Sequence, residues 1–221
     1  PRHEVAQQHR RQLDLGLAER GHRDLERHPA GLPHPALHVL GELGEVRDLT
    51  MPGPGGDIAL RLFDSRAARE PGPVVVFYHG GGFIVGSSGT HAALAAEMSR
   101  QLDMPVISVD YRLAPEAKWP AAPDDAEAAT RWIAANGAAF GREFNGLVLS
   151  GDSAGGTLTL TTALALRDKP AALPVQLIIP LYPMADASQP YPSMSAFGAG
   201  FGLDTDSMNF FESALAADKN S

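Results

Sequence analysis

The chain has 221 residues, 44% apolar and 20% charged, which is enough for one sizeable core and excludes a disordered protein. Acidic residues outnumber basic ones 26 to 18, and the formal charge of −8 argues against nucleic acid or an anionic membrane surface as partner. The absence of cysteine excludes a disulfide framework, a thiolate nucleophile and a Cys-ligated metal, and no apolar run approaches the roughly 18 residues of a membrane span.

The N-terminus, Pro1-Arg2-His3-Glu4, carries no signal-peptide pattern, and the lack of cysteine is compatible with a reducing compartment, so a cytoplasmic protein is expected. Residues 3 to 28 are charged and punctuated by Val5, Leu13, Leu17 and Leu25, which predicts one or two helices that need a partner surface. The arginines there are interleaved with acids, as on a solvated helix face. After a proline-rich break at Pro29 to Pro35, Glu45–Met51 and Asp57–Phe63 alternate in polarity around the turn cluster Pro52-Gly53-Pro54-Gly55-Gly56. That pattern predicts an antiparallel hairpin at a sheet edge.

From Pro73 the texture changes. Val74–Tyr78 is a continuous apolar strand, and Val106–Val109, Leu147–Leu149 and Val175–Ile179 repeat the pattern. Between them lie helical stretches at about Thr90–Leu102, Asp124–Ala135 and Thr157–Leu166. Strands buried on both faces and alternating with helices predict a mostly parallel α/β sheet with helices on both sides. Leu158, Leu160, Ala163 and Leu164 point several ways around the last of these helices, which is therefore expected to be buried.

Two motifs carry chemistry. Gly151-Asp152-Ser153-Ala154-Gly155-Gly156 stands between an apolar strand and a helix, the setting of a Gly-x-Ser-x-Gly nucleophile elbow. A serine on so sharp a turn holds a strained backbone, and Gly151 and Gly155 leave room where strand and helix cross. His79-Gly80-Gly81-Gly82-Phe83 follows the Val74–Tyr78 strand. Consecutive glycines let backbone N–H groups converge on one point, as an oxyanion requires. A phosphate loop would need a Lys-Ser/Thr pair in Walker spacing or Gly-x-Gly-x-x-Gly, and neither is present.

These stretches, together with Val109-Asp110-Tyr111-Arg112-Leu113-Ala114-Pro115-Glu116 and Pro120-Ala121-Ala122-Pro123-Asp124-Asp125, occur in one order. In that order they resemble the hormone-sensitive-lipase branch of the α/β-hydrolases, the bacterial carboxylesterases of family IV. The resemblance implies an α/β-hydrolase fold with a helical cap. Residues 1–45 would form the first part of the cap, 46–185 a partial hydrolase core, and 186–221 the second part of the cap. Leu203, Met208, Phe210 and Phe211 in that second part fit a short amphipathic helix. It implies Ser153 as nucleophile, Gly81, Gly82 and Ala154 as oxyanion donors, and His79 and Gly80 as support of the glycine loop. Tyr111–Glu116 would be a structural signature without chemistry. The substrate would be a short-chain acyl ester, with no cofactor, no metal and no nucleic acid.

One departure stands out. Triad order in this fold is Ser, then Asp or Glu, then His, yet all eight histidines, from His3 to His91, precede Ser153. Asp168, Asp186, Asp204, Asp206 and Asp218 follow it, but none occupies the position of the family's acid. The expectation is therefore a chain that stops within the cap, lacks the triad Asp and His, and leaves the Val175–Ile179 strand with an open edge. His79, His91 and Asp152 read as structural rather than as substitute bases, and His34 and His38 as exposed. Three accounts compete: an esterase represented by an incomplete chain, a catalytically dead ligand-binding relative such as the plant gibberellin receptors, and a chain nicked within the cap. A homodimer through a sheet edge, or association with the missing segment, would be the protein partner.

Overall fold

The computed structural model describes residues 43–186, 188–189, 191–200 and 203–216. The helices expected between residues 3 and 28, most of the first cap part, His34 and His38 lie outside them. Alternating residues and a glycine-rich turn give the hairpin β1 (Glu45–Gly53) and β2 (Gly56–Asp64), paired antiparallel from Glu45↔Asp64 to Gly53↔Gly56. Four further strands are β3 (Gly72–Tyr78), β4 (Val106–Asp110), β5 (Phe144–Asp152) and β6 (Val175–Leu181). One six-stranded sheet results, ordered β1-β2-β4-β3-β5-β6. β3 to β6 run parallel, and β2 joins them antiparallel through β4. This is the α/β-hydrolase architecture that the sequence implied, with the hairpin at one edge.

The central strand β3 is apolar from Pro73 to Tyr78 because both faces are covered. Val74, Val76 and Tyr78 of β3 enter one core with Ala122, Ala126, Ala129 and Ile133 of α2 (Ala121–Ala135) and Leu158 and Leu166 of α3 (Ala154–Asp168). Val75 and Phe77 enter the opposite core with Ala92, Ala95 and Ala96 of α1 (Ala92–Leu102). Alanines at one face of α1 and α2 let each helix lie close on the sheet. α2 begins at Ala121, three residues before the expected start, with Pro123 inside the first turn, where its missing N–H costs no hydrogen bond.

At the amino ends of the strands the hairpin is locked to the core by charge. Asp64 is fully buried and accepts from Arg69 Nε at 2.7 Å, Arg142 Nε at 3.0 Å and the Arg66 N–H at 2.9 Å. Arg142 Nη2 also donates to Glu45 at 2.7 Å.

The helix after Ser153 is less enclosed than its leucines predict. Leu158 of α3 is buried, but Leu164 is 51% exposed and lines an apolar groove with Leu160, Ile178 and Met184. On β6, the last strand in the sheet order among the described residues, Leu177 is 53% and Ile178 40% exposed. Beyond it lie a short helix α4 (Pro192–Ala196) and α5 (Thr205–Leu215), which is capped by the Asp204 carboxylate accepting the Ser207 N–H at 2.8 Å. α5 is the expected amphipathic helix. Its Ala214, Phe210 and Phe211 pack on Ile84 and Ala114.

Candidate active site

Register brings the two motifs together. β3 and β5 are parallel neighbours with Tyr78 opposite Gly151, so His79-Gly80 and Asp152-Ser153 leave the sheet side by side. A topological position at the carboxyl ends of parallel strands is where open α/β sheets bind ligands.

Ser153 sits between β5 and α3 at φ 53° and ψ −115°, a backbone conformation that few non-glycine residues adopt. Its strain is held from both sides: the Ser153 N–H donates to Leu181 O at 2.9 Å, and its carbonyl accepts the Thr157 N–H at 3.0 Å. The glycines of the motif are required by close approach. A Cβ on Gly151 would lie 2.5 Å from the Tyr78 carbonyl oxygen, and one on Gly155 would collide with the same oxygen. Ser153 Oγ stands at the amino end of α3, where the first helical N–H groups, beginning with Ala154, face outward.

The glycine loop crosses above this turn. Gly81 has φ 124°, Gly82 φ 61° and Phe83 φ 62°. Among the described residues, the Gly81 and Gly82 N–H groups donate to no protein acceptor, whereas the Gly81 carbonyl accepts from Ile84 and Val85, each at 3.0 Å. Pairing the carbonyl and not the N–H groups leaves donors for a ligand. The Phe211 ring of α5 roofs the loop, 2.9 Å from where a Gly82 Cβ would stand.

The support beneath the loop is a chain of side chains. The Asp152 carboxylate accepts the Gly80 N–H at 2.9 Å, and the same oxygen lies 3.4 Å from His91 Nε2. His79 is buried, its Nδ1 lies 2.8 Å from the Gly80 carbonyl oxygen, and its ring stacks on Tyr111 at 4.3 Å. Tyr111 donates its hydroxyl proton to His79 O at 2.7 Å. One step further, Arg112 grips the buried Asp125 with Nε and Nη2, both at 2.8 Å, and with its own N–H at 3.0 Å. The segment read as a structural signature is thus the seat of His79.

The electrostatics follow from these contacts. Burial opposes the charge on Asp152, but the His91 contact and the Gly80 N–H outweigh it and hold its carboxyl below the usual carboxylate range. Burial pushes the His79 imidazole down, partly offset by its hydrogen bond to Gly80, so its neutral form is favoured. Burial, with the charges of Asp152 and Asp110, pushes the Tyr111 phenol far up, so it serves as a donor.

The structure therefore brings Ser153, Ala154, His79, Gly80, Gly81 and Gly82 to one place. No hydrogen bond joins Ser153 Oγ to a histidine among the described residues. The Asp152–His91 contact was not legible in the sequence, since its partners are 61 positions apart and neither belongs to a metal or triad pattern. Among the described residues no group of three or more His, Asp or Glu side chains is gathered as for a metal ion, and no helix is long and apolar enough to cross a membrane.

Comparison with known proteins gives one consistent picture. A family profile described as alpha/beta hydrolase fold matches residues 75–221. The esterase LipI of Mycobacterium tuberculosis is 38% identical over 175 residues, covering 78% of this chain and 51% of its own length. An ethyl acetate hydrolase of Pseudomonas putida is 38% identical over 142 residues, covering 63% of this chain and 44% of its own. Among solved structures, the hyperthermophilic esterase of the archaeon Pyrobaculum calidifontis superposes with a TM-score of 0.77 at 36% identity, covering 84% of this chain and 60% of the other. The chain spans about half the length of the curated relatives it matches.

Proposed function

We propose, since the chain belongs to the alpha/beta hydrolase fold family and within it to the hormone-sensitive-lipase-like esterases, that the protein hydrolyses short-chain carboxylic esters through Ser153. The observation that carries this is a serine at φ 53° set beside a glycine loop whose Gly81 and Gly82 N–H groups find no protein acceptor among the described residues. In this reading Ser153 Oγ attacks the ester carbonyl carbon. The carbonyl oxygen becomes an oxyanion held by the N–H groups of Gly81, Gly82 and Ala154. Collapse breaks the bond to the alcohol, leaving the acyl group on Ser153, and water then releases the acid. His79 and Gly80 keep the loop in place.

The serine proton needs an acceptor. His79 is enclosed by Gly80 and Tyr111, and His91 faces Asp152. In the chain order of this fold the acid and the base both follow the serine, and no histidine does so in these 221 residues. We therefore assign the base to polypeptide outside this sequence. Relatives of whose length this chain covers only about half are consistent with that assignment. The substrate belongs to the acyl esters that the relatives' names imply, and the name of the ethyl acetate hydrolase supports a small acyl group.

The test is labelling of the encoded protein with a fluorophosphonate, alongside turnover of p-nitrophenyl acetate and butyrate. Stoichiometric labelling, abolished by Ser153→Ala, together with ester turnover is the expected result. An unlabelled, folded protein that still binds carboxylic acids would favour the receptor-like reading instead.

A further inference from the structure

The loop that carries the proposed oxyanion donors runs from the end of β3 to the start of α1, and both of its ends meet one carboxylate. At the near end the Gly80 N–H donates to Asp152 Oδ1 at 2.9 Å. At the far end His91 Nε2 lies 3.4 Å from that same oxygen. The His91 ring is itself fixed, with Nδ1 3.0 Å from Thr90 Oγ1 and the ring set beside Phe77 and His79 at centroid separations of 6.1 and 5.7 Å. Thr90 in turn closes on Ser87, whose N–H it accepts at 2.9 Å. Between the two ends the loop touches the body at Phe83, whose carbonyl accepts the Ala114 N–H at 2.8 Å, and at Ser88, whose hydroxyl donates to Asp110 at 2.8 Å.

We propose that His91 is a positioning residue: through Asp152 it ties the far end of the glycine loop to its first glycine, and ties both to the turn that carries Ser153. Asp152 is the last residue of β5 and the immediate neighbour of Ser153. Asp152 is buried and its carboxylate acts as an acceptor only, so without His91 it would keep the Gly80 N–H and lose the partner beside it. His91 Nε2, 3.4 Å from Oδ1, faces it from the loop side. The consequence lies in the donors. Gly81 and Gly82 can serve an oxyanion only if the loop stays fixed relative to Ser153, and a misplacement of about 1 Å costs on the order of 10² in rate. Three of the loop's contacts restrain its middle or its own turn, whereas the Asp152 contact, alone among the side-chain contacts of the described residues, couples it to the residue next to the nucleophile.

The effect on rate rests on the esterase reading above, and the effect on the loop rests on the geometry alone. The test uses the encoded protein carrying His91→Phe, which keeps a ring and removes the donor, and His91→Gln, which restores a donor. With p-nitrophenyl butyrate, His91→Phe is expected to lower kcat by about 10- to 100-fold with KM little changed, and His91→Gln to recover most of the loss. Affinity for a trifluoromethyl ketone, which forms an oxyanion on Ser153, should fall in parallel with kcat/KM. Amide hydrogen exchange over residues 79–91 should accelerate about tenfold or more in His91→Phe while β4 and α2 keep their protection. Exchange unchanged in the loop, equal losses in the two variants, or acceleration throughout the molecule would each overturn the proposal. If the wild-type protein does not turn esters over, the esterase reading fails and the exchange measurement alone decides whether His91 positions the loop.

Discussion

The two ends of the parallel strands solve opposite problems. At the amino ends, Asp64, Arg69, Arg142 and Glu45 are drawn together until each charge has a partner, and the hairpin β1–β2 is bolted to β5. At the carboxyl ends the chain does the reverse. Ser153, Gly81, Gly82 and Phe83 hold backbone conformations in the left-handed region, and the N–H groups of the two glycines are left without protein acceptors among the described residues. The first end is arranged for stability. The second carries strain and unsatisfied donors that the rest of the fold must hold in place. Substitutions at the two ends should therefore separate stability from rate.

The largest effect is expected at Ser153. Ser153→Ala should reduce ester turnover by about 10⁴-fold or more while leaving thermal unfolding unchanged or slightly improved, because the strained serine is relieved of function but not of fold. Retention of more than a trace of rate in a folded variant would remove Ser153 from the chemistry. At the opposite end, Asp64→Ala leaves the Arg69 and Arg142 guanidinium groups without their shared buried carboxylate. A loss of about 3–5 kcal/mol in urea unfolding is expected, with kcat unchanged where the protein is still folded. A coupled loss of kcat at a temperature where the variant is folded would show that the two ends are not independent.

Gly82→Val places a Cβ at φ 61° and within 2.9 Å of the Phe211 ring. We expect turnover to fall by about 10²–10³-fold, the cost of a lost oxyanion donor. Phe211→Ala in the same background relieves the clash but not the backbone strain, so it should restore only part of the rate. Full recovery would move the cause from the loop to the helix above it.

How much of this was legible in the sequence depends on the range of the interaction. Val74–Tyr78 could be read as a buried parallel strand because every residue is apolar, and the elbow and the glycine loop could be read because each is contiguous. The order of strands and the Tyr78–Gly151 register that seats one motif beside the other come from tertiary pairing and leave no local pattern. Tyr111 reads in the sequence as part of a signature without a role, since its stacking on His79 joins residues 32 positions apart. Leu164 misled for a different reason. An apolar side chain records a tendency to be covered, not the presence of a cover, and on α3 it faces the open groove beside β6. The histidine count needs no structure at all: no histidine follows Ser153 in these 221 residues.

The smallest expected effect concerns His79, which links the rate-bearing end back to stability. Burial holds its imidazole below the ordinary value of 6.5. In the unfolded chain the ring titrates near that ordinary value. As pH falls below it, the unfolded state takes up a proton that the folded ring refuses, so the equilibrium shifts toward unfolding. The contribution is fully present above about pH 6.5 and declines as the pH falls toward the depressed value, with a slope that one proton limits to about 1.4 kcal/mol per pH unit. Asp152 has the same sign in a lower window, since its depressed carboxyl contributes stability above the usual carboxylate range that is lost only as the pH falls beneath it. His79→Gln removes the titrating ring while keeping a side chain able to donate to the Gly80 carbonyl. Urea unfolding measured between pH 7 and pH 5 should then be flatter for the variant than for the wild type, even if the variant is less stable at pH 7. Parallel curves would mean that the His79 ring takes its proton as readily inside the fold as in water, and that its seat between Gly80 and Tyr111 is open to solvent.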